Sequence, residues 1–389
     1  VKPHHAIAAL IAVIAMAIYF FLAPTTPPDL ITAGADSVAA KGTALSESEA
    51  SSPGKSAAAH SFPGETNKKP GINWARFAKL LDTGSSTSPG ESWPRATAND
   101  LENFIARHGE NAANLVAAFE NSHDRLWLER ALQLFPNDPR VLLSAIGFSN
   151  SGEPADLLES RLPATDRRDL IERFKAADPN NPVPWLFAAQ GLFNTKQTDE
   201  AISEIRAALQ RPAFYTYSNE RIAASRQIYE DLGFHPLEAD IVATFGLTLY
   251  HMSAAQQSSR SLMELQKNAV ESGNTASAEE AIQLTYSLGR MFATPEASRT
   301  LIGQLVGVSM ERRALEALPP DAQRDYLPVT PQQRLAELEK QKQTVKELVP
   351  LTENLIRSRD ETLLAEYFRR NNADGELSAL MWLKAKQQK

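Results

Sequence analysis

Apolar residues recur at helical spacing from about Thr97 to the end of the chain, with no period-2 run bounded by hairpin turns among them. Leu101, Phe104, Ile105 and His108 make one stripe, opened by Asn99 or Asp100 as N-cap and stopped by Gly109. Leu126, Leu128, Ala131, Leu132 and Phe135 make a second, ended by Pro136. Ser277 with Glu280 and Thr330 with Gln333 have capping-box spacing, and Thr294-Pro295 and Thr330-Pro331 place proline at the first helical position. Ser218 or Asn219 opens a helix to Leu232, closed by Gly233. Leu237, Ile241, Phe245, Leu249 and Met252 continue as one apolar face through Leu262 and Leu265. Ala281, Ile282, Leu288 and Phe292 form the next face, then Leu301, Ile302, Leu305 and Val306, where Gly303 and Gly307 have the spacing that lets a second helix pack close. The tail from Pro331 carries Leu335, Leu338, Val345 and Leu348 among many charges, with Pro350 expected to break or kink it. The pattern predicts an all-α fold.

The N-terminus reads differently. Ala6 to Ala23 carry no charge, and as a helix they extend about 27 Å, close to the hydrocarbon thickness of a bilayer. Lys2 precedes the run and Asp29 and Asp36 follow it, so the positive-inside bias puts the N-terminus in the cytoplasm and exports the rest. The expectation is an uncut anchor at residues 6–23. The competing reading is a cleaved signal peptide, with small residues at Ala33-Gly34-Ala35 and Val38-Ala39-Ala40. Residues 24–96 are rich in Pro, Ser, Ala and Gly and are expected to form a disordered tether with a span of about 45–50 Å. Within it, Trp74, Phe77, Ala78 and Leu81 fall on one face of a short amphipathic helix over 74–81. Three uses compete for Trp74, Phe77 and Leu81: docking on the chain's own helical region, lying on anionic lipid, or capture by a partner groove.

Two segments repeat one device, a helix end leading through a proline-bounded turn into the next helix: Leu134-Phe135-Pro136-Asn137-Asp138-Pro139 and Ala177-Asp178-Pro179-Asn180-Asn181-Pro182. After the second, Trp185, Ala188, Ala189, Leu192, Ala201, Ile205 and Ala208 alternate large and small packing residues. The stretch from Asp124 to Ala213 resembles tetratricopeptide repeats, with one good unit and parts of others. Near Gly152-Glu153-Pro154 an insertion departs from the pattern, and Pro212 stands one place early. The resemblance implies a helical-hairpin stack, an α-solenoid, whose groove-facing positions are Arg140, Leu143, Asn150, Val183, Leu186, Gln190, Phe193 and Asn194. That set is mixed polar and apolar and lacks the lysine cluster that would grip a terminal carboxylate. Thr300 to Leu318 is similar to a segment of uncharacterised bacterial membrane-anchored helical proteins. The domains expected are the anchor, the tether, a tetratricopeptide-like lobe at 97–215 and a C-terminal helical lobe at 216–389.

Composition narrows the function. The 389 residues include no cysteine, so disulfides, thiolate metal sites and cysteine nucleophiles are excluded. A formal charge of −7 lacks the basic footprint of a nucleic-acid binder. No phosphate loop, G-x-S-x-G elbow, H-E-x-x-H or EF-hand loop is present. His235 and His251 are the only pair of histidines near one helix and are read as capping or surface groups, too far apart to share a metal. No catalytic residue, cofactor or metal is expected, and no small-molecule substrate is indicated. The function expected is a single-pass protein of the bacterial inner membrane whose periplasmic helical region presents a surface to a protein or peptide partner. The alternatives are an exported enzyme with an all-α catalytic domain and a structural or assembly factor of the envelope.

Overall fold

The computed structural model describes residues 72–74, 95–149, 164–211, 214–293 and 299–387. Every regular element among them is a helix, and no strand occurs among the described residues. In chain order these are α1 (Ala98–His108), α2 (Ala112–Ser122), α3 (Arg125–Leu134), α4 (Pro139–Phe148), α5 (Ala164–Ala177), α6 (Val183–Asn194), α7 (Thr198–Leu209), α8 (Ser218–Asp231), α9 (Pro236–Phe245), α10 (Tyr250–Glu271), α11 (Thr275–Ala293), α12 (Leu301–Glu316), α13 (Pro331–Ser358), α14 (Glu361–Asp374) and α15 (Glu376–Gln387). The expected anchor at 6–23, most of the tether and the Thr294-Pro295 helix start lie outside the described residues. Among the described residues, no helix is long and apolar enough to cross a membrane.

The capping chemistry sets the helix boundaries, with shifts from the expected positions. Thr97, rather than Asn99 or Asp100, caps α1: its hydroxyl accepts from the Asp100 N–H, and Asp100 returns a bond to the Thr97 N–H. Gly109 ends that helix with φ of 89°, a backbone angle that suits a residue without a Cβ. Ser277 lies inside α11 because Asn274 takes the capping role, its carboxamide oxygen accepting from the Ser277 N–H at 3.2 Å. Thr330, Pro331 and Gln333 form the expected capping box of α13. Pro350 lies within α13 and does not end it. The face expected to run from Leu237 to Leu265 is divided at Gly246, between α9 and α10. On α3 the buried stripe is Trp127, Leu128 and Ala131, whereas Leu126 is 69% exposed.

Neighbouring helices pack as pairs, chiefly α2 with α3, α6 with α7, α8 with α9, α10 with α11, α11 with α12, and α14 with α15. In the α11–α12 pair, Gly307 and Gly289 make the close approach: a Cβ on Gly307 would lie 2.7 Å from the Gly289 carbonyl oxygen. Helices distant in sequence also pack, α2 on α8 and α6 on α10, so the chain folds back on itself beyond nearest-neighbour stacking. The apolar interior follows this arrangement. One cluster joins α1 to α5 with α8, a second joins α6 and α7 to α10, α11 and α12, and a third joins α8 and α9 to α13, α14 and α15.

Candidate recognition site

Of the groove positions implied by the repeat resemblance, those on α6 belong to a helix that packs against α10. Leu143, Val183 and Leu186 are fully buried. The Tyr250 ring at the start of α10 lies against Gly147 of α4 so closely that no Cβ fits there. Further along, Gln257 of α10 sits between two of the predicted residues: its Oε1 accepts from Gln190 Nε2 at 2.6 Å, and its Nε2 donates to Asn194 Oδ1 at 2.5 Å. Arg167 Nη2 donates to Gln190 Oε1 at 3.3 Å and extends the ladder to α5. Phe193 packs, half-buried, on the cluster that α10 shares with α6. Arg140 turns back on the N-terminus of its own helix, donating from Nε and Nη2 to the Asp138 carboxylate at 2.9 and 2.6 Å. Asn150 lies outside the described residues. The structure thus brings Gln190 and Asn194 together through Gln257, places Leu143, Val183 and Leu186 in the interior, and leaves Arg140 apart from them.

An open recess lies elsewhere, between the segment 214–222, the α9–α10 junction and the end of α14. Its volume is about 300 Å³, and it is lined by Phe214, Tyr215, Tyr217, Glu220, His251 and Arg299 among others. The Asp-Pro-Asn-Asn-Pro turn holds its aromatic wall in place. Asn181, fully buried, donates from Nδ2 to the Tyr215 carbonyl at 2.7 Å and accepts from the Tyr215 N–H at 3.3 Å. The Tyr217 hydroxyl donates to Asp178 of the same turn. That burial and that carboxylate together push the Tyr217 phenol far above its ordinary range. The two tyrosine rings meet edge to face with centroids 4.7 Å apart.

Two of the charged groups in the wall already have partners. The Tyr215 hydroxyl donates to Glu220 Oε1 at 2.5 Å, and that carboxylate holds the phenol pKa up to about 12. Arg299 donates from Nη2 to the carbonyls of Asn372, at 3.0 Å, and Ala373, at the C-terminus of α14. There its charge meets the negative end of the helix dipole. Glu376 completes the junction, accepting from the Leu301 N–H at 2.8 Å at the start of α12.

His251 is only 4% exposed, with its ring stacked on Phe292 and edge-on to Phe214. Burial, and then the Arg221 charge, lower its pKa to about 3, so the ring is neutral at neutral pH. The expectation of a capping or surface role therefore fails for His251 and holds for His235, whose Nδ1 accepts from the Leu237 N–H at 3.3 Å at the N-terminus of α9. Among the described residues, no group of three His, Cys, Asp or Glu side chains is placed to hold a metal.

Of the tether residues, Trp74 rests with Ile72 on the cluster of α8, α9 and α13 to α15, and the Asn73 N–H donates to Glu238 Oε1 at 2.9 Å. Phe77 and Leu81 lie outside the described residues.

Sequence reasoning missed the recess because its residues come from four separated segments that share no motif. The one signal that reaches it is the Asn-Asn pair of the proline-bounded turn. Asn181 exceeds what a turn alone requires, since its side chain is committed 34 positions away. No protein-family model, curated protein or solved structure matches the chain.

Proposed function

We propose that this protein is a recognition scaffold, tethered to the bacterial inner membrane through residues 6–23 and the linker that follows, with its helical region on the periplasmic side. Its first lobe is a tetratricopeptide-like stack whose groove serves the fold by holding α10. The partner, a protein or peptide, docks instead in the recess walled by Tyr215, Glu220, His251 and Arg299. The observation that carries this reading is the occupation of the groove: Gln257 takes the places on Gln190 and Asn194 that a bound peptide would use. The recess has the mixed apolar and polar lining of a binding site. Recognition is favoured over catalysis because the polar groups of the wall serve structural bonds, Tyr217 to Asp178, Arg299 to helix carbonyls and Thr300 as the N-cap of α12.

The test is photo-crosslinking in native membranes from a reactive residue placed at position 215, whose tyrosine is 46% exposed at the rim, with position 270 (Val270, 58% exposed) as the control site. A discrete adduct from position 215 and none from position 270 supports the reading. Identical products from both positions, or none from 215, overturn it.

A further inference from the structure

The recess is lined by Glu220 and His251, and one oxygen of the Glu220 carboxylate has no hydrogen-bond partner among the described residues. That oxygen, Oε2, is buried, while Oε1 of the same carboxylate is taken by Tyr215. The His251 imidazole, more than nine-tenths buried, stacks on Phe292 and meets Phe214 edge to face. A buried carboxylate oxygen without a donor costs on the order of 1–3 kcal/mol or more, and the residue that carries it lines the recess. Nearby cations do not neutralise it by contact. Arg140 is bonded through Nε and Nη2 to Asp138, and Arg299 to the carbonyls of α14. Because Tyr215 keeps its proton, Glu220 is the acceptor in that pair and its second oxygen still requires a donor.

Resting on the recognition reading above, we infer that the recess receives the free N-terminus of a partner polypeptide, with its ammonium group donating to Glu220 Oε2 beside the rings of Phe214, Tyr215 and Tyr217. The chemistry fits in three respects. A carboxylate next to aromatic faces is a cation site, and ring faces attract an ammonium group within about 6 Å. The neutral imidazole of His251 supplies an acceptor and a donor without adding repulsive charge. Asn371, Asn372, Leu247, Leu249 and Met252 also line the recess. Those amides suit the first peptide groups of a chain, and the apolar residues suit its first side chain. A lysine side chain would bring an ammonium group on a bare hydrocarbon stem and leave the amides unused. The volume of about 300 Å³ admits a chain end and excludes a folded surface.

The experiment uses the full-length chain in lipid nanodiscs, titrated with the peptide Ala-Phe-Ala-amide, its N-acetylated form, and N-acetyl-lysine amide. The free-terminus peptide should bind at least tenfold more tightly than either of the others. Glu220→Gln should reduce that preference to less than twofold while its melting curve stays cooperative. The comparison between ligands needs no variant, so it stands even if Glu220→Gln fails to fold. Equal binding of the acetylated peptide, preference for the lysine derivative, or no binding of any probe overturns the inference. A crosslink from position 215 to a partner, together with no binding of the free-terminus peptide, removes the ammonium chemistry and keeps the recognition reading. Peptide binding without any crosslink does the reverse.

Discussion

Arg221 of α8 and Glu120 of α2 form an ion pair inside the protein, with side chains 2% and 8% exposed. The guanidinium donates from Nε to Oε2 at 3.1 Å and from Nη2 to Oε1 at 2.5 Å. Ser144 of α4 donates to the same carboxylate at 2.8 Å, and Arg221 Nη2 also reaches the Thr248 carbonyl at the break between α9 and α10. One pair therefore ties four separate places in the chain together across the boundary expected at residue 215. Arg221 is also the charge that acts on His251.

Because both charges are desolvated, removing one should cost more than removing both. Arg221→Met or Glu120→Leu alone should destabilise the protein by about 3–5 kcal/mol, since each leaves a buried charge without its partner. The double variant should recover at least half of that loss. Chemical denaturation of the four proteins, read as a double-mutant cycle, checks this, and additive losses would show that the pair does not act as a unit.

The contact between α11 and α12 gives a prediction with an unusual sign. Glycine to alanine within a helix ordinarily stabilises by about 0.5–1 kcal/mol. At Gly307 the added Cβ would lie 2.7 Å from both the Gly289 carbonyl oxygen and the Phe292 carbonyl carbon, and backbone cannot move aside as a side chain can. Gly307→Ala should therefore lower stability by about 1–3 kcal/mol. A melting temperature at or above that of the parent protein would contradict the packing.

These two contacts show what the sequence makes legible and what it conceals. The helix faces, the all-α class and several caps follow from periodicity and side-chain chemistry close by in the chain, as at Thr330 with Gln333. The spacing of Gly303 and Gly307 foretold a close helix neighbour, but its partner Gly289 could not be named because any small residue on any other helix would serve. Arg221 and Glu120 are 101 positions apart, and each alone reads as a solvated helical charge. The groove was misleading for a related reason. Local spacing marks the surface on which a helix can lie, but whether α10 of the same chain lies there is decided by tertiary packing. The division at Gly246 had to be seen before α10 could turn onto α6. The recess then follows from that turn, since Leu247, Leu249 and His251 all belong to the junction.

The buried surface of α10 is polar for an interior helix. Ser258 and Ser259 are both fully buried, and neither hydroxyl has a hydrogen-bond partner among the described residues. Each unmade bond carries a desolvation cost on the order of 1–3 kcal/mol, and alanine is the better helix former. Ser258→Ala and Ser259→Ala should each raise stability by about 1 kcal/mol, with the pair close to additive in thermal unfolding. Loss of stability at either position would show that the hydroxyl is satisfied in solution, by water or by a shifted rotamer.

The last prediction concerns acid. Burial and the Arg221 charge lower the His251 pKa to about 3, whereas in the unfolded chain it titrates near the ordinary value of 6.5. Above pH 6.5 the ring is neutral in both states and its contribution is constant. As pH falls from about 6.5 toward 3, the unfolded chain takes up a proton that the folded chain refuses, so the native state loses about 1.4 kcal/mol for each pH unit. Burial raises the pKa of Glu311, Glu376 and Asp240 in the folded state, and those carboxylates act in the opposite direction. They are common to the parent protein and to His251→Gln, so they cancel in the difference between the two. That difference in unfolding free energy, measured by urea denaturation from pH 8 to pH 4, should be flat above about pH 7. Below it the parent should lose stability faster than the variant, by about 1.4 kcal/mol per unit. Parallel curves over the whole range would mean that the His251 ring reaches solvent, and the neutral imidazole assigned to the recess would fall with it.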